Sequence, residues 1–273
     1  VFGLNALFVA WALYLWLAVE RSREPGPARR RVLGLFLVCG LAMANHHTFV
    51  FIGAPLVLRS LWVARGQLRA AGMALAALCG IAGLSPYAYL VFASRSAALV
   101  SWGDQSTLSG FLDHVLRREY GTFSLGRVGD KSTAFVSSGT FFSTLSLMLA
   151  GSLRRLSGLG PLLALSGLLL AWRRRPDRVQ VRVLLALLLG YAVVFCAMSN
   201  LATDKSLYRN VLSRFFIQTD LLLALAAGIG WAGLLRRLEA RWSSPWLTRL
   251  SLAGAVALFA AGVVVHSGAS HRR

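Results

Sequence analysis

Asn45-His46-His47-Thr48 places four polar side chains in the middle of an apolar block that runs from 33 to 64. Polar groups at bilayer depth are costly and need a reason. Adjacent imidazoles point in different directions from a helix, so Asn45, His46 and His47 do not have metal-ligand spacing. A turn that offers donors to a phosphate or a sugar hydroxyl fits better; the competing reading is a helix end satisfied at the interface. Trp102-Gly103-Asp104 is the second constellation. The Trp102 face suits stacking on a sugar ring and Asp104 accepts from hydroxyls, or the pair is an interfacial Trp beside an N-capping Asp.

Arg117-Arg118-Glu119-Tyr120-Gly121-Thr122-Phe123 is the third. The planar fork of Arg118 suits bidentate phosphate recognition, with Glu119 and Tyr120 beside it; general attraction to anionic lipid is the alternative. The fourth is Arg214, followed by Phe215, Phe216 and Gln218. An Arg entering the hydrocarbon must snorkel or pair, and Arg214 and Gln218 at i, i+4 share one helix face. Asp220 lies off that face, and no acidic residue shows a buried basic partner in the sequence. An anion-binding role for Arg214 inside the bundle is the expectation. P-loop, Ser-His-Asp and Cys/His metal patterns are absent, so neither a metal nor a cofactor is expected.

The elements that must position these residues follow from composition. The chain has 273 residues, 56% hydrophobic and only 14% charged, with mean hydropathy +0.62. Its apolar residues fall in blocks long enough to cross a bilayer, with no strict alternation, which predicts an all-α integral membrane bundle of about seven crossings. The predicted spans are 2–19, a hairpin of 33–45 and 49–64, then 70–92, 156–172, 183–199, 215–235 and 247–266. All of 1–273 reads as one transmembrane domain. The outer loop, 93–155, holds an amphipathic helix at about 107–119, where Leu108, Phe111, Leu112, Val115 and Leu116 form a stripe and Thr107 is placed to cap. Cys39, Cys79 and Cys196 each lie in an apolar block and read as small hydrophobes.

The formal charge of +19 would suggest nucleic acid in a soluble protein. Here the arginines cluster in short loops between apolar blocks, as the positive-inside rule requires, and no nucleic-acid partner is expected. If 33–64 is a hairpin, loops 20–32, 59–69, 173–182 and 236–249 share one face and hold more than half of the 29 basic residues. Residues 45–48, loop 93–133 and loop 200–213 then share the other face. The Pro25-Gly26-Pro27 run reads as a helix break, which leaves the ascending arm of the hairpin only about a dozen residues. Val1 reads as an internal position of a longer chain.

Four strings, GLAMANHHT (40–48), GLSPYAYLVFAS (83–94), WGDQSTLSGFLDHVLRREYGTFSL (102–125) and LSRFFIQTDLLLALAAGIG (212–230), resemble one polytopic membrane family. It includes the animal protein O-mannosyltransferase that acts on plexin-type immunoglobulin-like domains. The resemblance implies a multi-spanning glycosyltransferase bundle with interfacial helices in an outer loop. It implies transfer of a sugar, mannose in the animal relatives, from a polyprenyl- or dolichyl-phosphate donor to a protein Ser/Thr hydroxyl. The partners implied are membrane lipid, the lipid-linked donor and a protein acceptor, in a bacterial inner membrane or the endoplasmic reticulum. The family's catalytic acidic stretch corresponds to sequence upstream of Val1, so no catalytic residue is assigned. Animal members carry Glu-Arg-Phe where Ser213-Arg214-Phe215 stands here. A transporter or lipid flippase, and a non-catalytic scaffold, are the alternative readings.

Overall fold

Every apolar run that can be followed becomes helix. The computed structural model describes residues 2–22, 24–95, 105–116, 118, 137–156, 158–173 and 178–242, and there is no strand among them. In chain order the helices are α1 (Phe2–Glu20), α2 (Pro25–Asn45), α3 (Val50–Ala64), α4 (Ala70–Gly83), α5 (Pro86–Ala93), α6 (Leu108–Val115), α7 (Ser138–Arg155), α8 (Leu159–Arg173), α9 (Arg178–Met198), α10 (Ser206–Phe215) and α11 (Ile217–Trp242). Among the described residues, five stretches are long and apolar enough to cross a bilayer: Phe2–Glu20, His47–Ala64, Ala70–Ala93, Arg178–Met198 and Ile217–Arg241. The chain is an all-α integral membrane protein. The expected span at 247–266 lies outside the described residues.

Contacts divide the chain into one unit of residues 1–157 with 179–222 and another of 158–178 with 223–273. In the first, α1 turns Asn5, Phe8, Val9, Ala12, Leu13, Trp16 and Val19 inward. Its other face exposes Leu4, Leu7, Trp11 and Tyr14. A helix apolar on both faces is what a bilayer permits, because one face meets protein and the other meets lipid.

The Pro25-Gly26-Pro27 run does not break a helix; it begins one, with Pro25 in the first turn of α2. The leading N–H groups of a helix have no partner inside it, so proline loses nothing there and its fixed φ suits the start. The ascending arm of the hairpin is therefore the full 21 residues of α2, not a dozen. At the lower end of this arm Arg31 Nη1 donates to Ala18 O at 2.8 Å. The end of α3 returns to the same place, where Arg59 donates to Glu20 through Nε at 2.7 Å and Nη2 at 3.2 Å.

Helix α2 also meets α4 backbone to backbone. A Cβ on Gly40 would lie 2.2 Å from Gly80 O, and one on Gly83 would lie 2.3 Å from Leu37 O, so only glycine fits. Without a hydrophobic drive between helices in lipid, such close approach supplies the packing energy. Past Gly83 the helix pauses and restarts at Pro86, which has no N–H to continue it. That restart brings Tyr87 to the apex of the α2/α3 hairpin.

The second unit is built on a similar crossing. A Cβ on Gly167 of α8 would lie 2.0 Å from Ala226 O, and one on Gly230 of α11 would lie 2.1 Å from Leu163 O.

Candidate functional site

The polar tetrapeptide lies where α2 gives way to α3. Asn45 ends α2, and His46 becomes extended while its N–H closes the helix on Ala42 O at 2.8 Å. Residues His47–Phe49 make one 3₁₀ turn that leads into α3. His46 caps that turn with a ring nitrogen, as Ser or Asp would with oxygen. Its Nδ1 accepts from the Thr48 backbone N–H at 3.3 Å and lies 2.9 Å from Thr48 Oγ1. A backbone N–H can only donate, so Nδ1 carries a lone pair and the ring proton sits on Nε2. Thr48 Oγ1 then donates to Nδ1 and accepts from Gln218 Nε2 at 3.2 Å.

His47 is held by a different set. Its Nε2 lies 3.0 Å from Val115 O and 2.9 Å from Tyr87 Oη, while Tyr87 O–H donates to Met43 O at 3.3 Å. A carbonyl only accepts, so Nε2–H of His47 donates to it and shares the proton with the tyrosine oxygen. This bond ties α6 to the hairpin apex. Thr107 starts α6, its hydroxyl accepting from Gly110 N–H at 3.1 Å. Tyr87 stands edge-on to both Phe111 and His114 of α6.

Aromatic rings enclose the His46 side. The ring lies 5.4 Å from Phe2 and 5.2 Å from Phe215, centroid to centroid. Phe195 packs on Phe215 and Phe216 and stacks on Tyr191, whose hydroxyl donates to Phe215 O at 3.0 Å. Thr48 and Gln218 are buried, and His46 and His47 half-buried. The amide oxygens Gln218 Oε1 and Asn5 Oδ1, like that of Gln67, are buried without a partner among the described residues.

Arg214 and Gln218 do not share a face. Helix α10 ends at Phe215 and α11 starts at Ile217, so the i, i+4 relation is interrupted between them. Burying Phe216 fully, with Phe215 packed on His46, sets the break, and Arg214 is left exposed while Gln218 is 1% exposed. Arg118 lies at the end of α6 and pairs with Asp113 at 3.0 Å rather than with the histidines. Trp102, Asp104, Glu119 and Tyr120 lie outside the described residues.

Asp220 departs from expectation in the opposite direction. It is buried and does have a basic partner: Arg155 Nε donates to Oδ2, and Ser152 Oγ donates to Oδ1 at 2.5 Å. The Arg155 guanidinium also lies 5.8 Å from the Phe216 ring centroid. The signal was present in the i, i+3 spacing of Ser152 and Arg155, which puts both on one face of α7. The role of Tyr87 had no such signal, because only the restart at Pro86 aims it at His47.

No family model matches the chain, and no solved structure matches it. Curated proteins do match, two of them as follows. The protein O-mannosyl-transferase TMEM260 of Mus musculus is 32% identical over 244 residues, covering 86% of this chain and 33% of the relative. The protein O-mannosyl-transferase tmem260 of Dictyostelium discoideum is 30% identical over 247 residues, covering 84% of this chain and 29% of the relative. The chain spans about a third of the length of the curated relatives it matches. Over that length it belongs to the polytopic membrane family that these relatives represent.

Proposed function

We propose that this chain is a membrane-embedded part of a protein glycosyltransferase, one that moves a sugar from a polyprenyl-phosphate donor to a Ser or Thr hydroxyl of a protein. Mannose is the sugar given by the names of both relatives. The observation that carries the reading is the enclosed His46–Thr48–Gln218 chain at one end of the bundle, within a sequence related to O-mannosyl-transferases.

The chemistry asked of such a site is simple to balance. A base takes the acceptor hydroxyl proton, the oxygen bonds to the anomeric carbon, and the bond from that carbon to the phosphate oxygen breaks with its electron pair. Negative charge develops on the departing phosphate, and fixed donors aimed at it lower the barrier. His46, protonated at Nε2, supplies a neutral donor, His47 steadies the apex through its own bond to Val115 O, and Arg118 and Arg214 supply charge near the membrane surface. The apex carries no carboxylate among its described residues, so this chain's part is to bind and stabilise the donor, and no residue is assigned as the base. The sugar donor is itself the lipid-linked reactant, and no further cofactor is invoked.

Membranes carrying the full gene product test this directly. Polyprenyl-phosphate mannose with a Ser/Thr-bearing protein acceptor should give O-linked mannose, and Arg214→Ala should cut the rate at least about tenfold, the effect of losing roughly 1.4 kcal/mol of transition-state stabilisation. Movement of the intact lipid-linked sugar across the bilayer without transfer would instead make the protein a flippase.

A further inference from the structure

We propose that the cavity between α8 and the later turns of α11 binds the headgroup of an anionic phospholipid. The cavity has a volume of about 350 Å³ and is walled by Arg173, Arg236 and Arg237, with Leu170 and Gly233 among its apolar lining and no acidic side chain in that lining among the described residues. The three arginines are exposed, so water screens part of their mutual repulsion, and an anion sharing the space would relieve the rest. Their planar forks suit the oxygens of a phosphate diester.

A second cavity of about 450 Å³ shares Leu170 and Arg237 with the first. Its walls are apolar, with Leu159, Leu162, Trp231 and Leu234 among them. A cationic pocket that shares two lining residues with an apolar groove has the polarity sequence of a phospholipid: charged headgroup, then acyl chain. A free phosphate would have no use for the groove. The helix crossing that frames both cavities is fixed by Gly167 and Gly230, whose backbone contacts leave no room for a side chain. Two basic runs that the positive-inside rule would only gather on one face are here gathered into one pocket. That same rule places them beside the leaflet richest in anionic lipid.

The test uses the full-length protein in nanodiscs of mixed phosphatidylcholine and phosphatidylglycerol, with bound lipid counted by native mass spectrometry. The wild type should retain phosphatidylglycerol over phosphatidylcholine by roughly tenfold, the preference that one to two charge-assisted hydrogen bonds supply. The triple change Arg173→Lys, Arg236→Lys and Arg237→Lys keeps the charge but loses the fork, and should abolish most of that preference. Equal retention by the lysine protein would overturn the proposal in favour of general electrostatic attraction. Inorganic phosphate that displaced the lipid headgroup would overturn it in favour of a free-anion site. Leu162→Trp, which fills the apolar groove and leaves the arginines untouched, provides a separate check: it should lower retention as well, and unchanged retention would refute the acyl-chain half. Sugar transfer plays no part in these readouts, so the result stands apart from the catalytic reading.

Discussion

The two ends of the α1–α3 bundle solve the same problem with different chemistry. At the end where α1 finishes, Glu20 takes both Nε and Nη2 of Arg59, Trp16 Nε1 donates to the same carboxylate at 3.2 Å, and Arg31 reaches back to Ala18 O. At the opposite end His46, Thr48 and Gln218 form a chain without formal charge, walled by Phe2 and Phe215. Arginine can carry charge to water along its stem, so ions belong at the first end. Enclosing a charge costs several kcal/mol unless it is well paired, whereas the neutral chain leaves only a polar atom, Gln218 Oε1, unmatched, at about 1–3 kcal/mol. The difference assigns His46 a role that its residue type alone leaves open: the fold holds it with Nδ1 as acceptor and Nε2–H as an aimed donor.

Asp220 brings a second carboxylate inward, its side chain 12% exposed against 7% for Glu20, and relies on Arg155 and Ser152 to hold it. Asp220→Ala should therefore have the largest effect, a loss of about 3–5 kcal/mol in stability, because Arg155 is left without its counter-ion. Adding Arg155→Met should restore most of it. Unfolding in detergent measures both, and a single change costing less than about 1 kcal/mol would show that the pair is hydrated rather than enclosed.

Next in size is the charged end itself. Glu20→Gln should cost about 1.5 kcal/mol, the range for a hydrogen bond to an ion. Its effect should shrink in high salt, because the Arg59 side chain is 27% exposed and open to screening. At the neutral end Thr48→Val should cost about 1 kcal/mol and be insensitive to salt. The His46 ¹⁵N signature should remain that of the Nε2–H tautomer, because the backbone N–H of residue 48 still donates to Nδ1. A salt-dependent loss at Thr48 would erase the contrast between the ends.

Much of this architecture was legible before the coordinates. Helical spans, the turn at 45–48 and the Thr107 position follow from hydropathy and local capping, which act over a few residues. The relations that failed to show were those between distant segments. Tyr87 meets His47 and Arg155 meets Asp220 across 40 and 65 residues. Periodicity also assumed unbroken helices: it joined Arg214 to Gln218 through Phe216, where the chain breaks with Phe216 buried and Phe215 half-buried. Proline misled in the same way, because Pro25 reads as a stop until one knows that it occupies the first turn.

The smallest expected change in stability carries the most information about function. Arg118 and Asp113 pair at 3.0 Å with side chains 60% and 38% exposed. Such a surface pair is worth below about 0.5 kcal/mol, so Arg118→Ala should leave the unfolding midpoint almost unmoved. If Arg118 also meets the donor phosphate, the same variant should raise KM for the lipid-linked sugar several-fold, and Arg118→Lys should recover only part of the loss because the bidentate fork is gone. Asp113→Asn supplies the control, since it releases Arg118 from its only ion pair among the described residues and should leave transfer intact or improved. A KM unchanged in all three variants would confine Arg118 to the surface of α6, and the donor's phosphate would then fall to Arg214 and the neutral histidine apex.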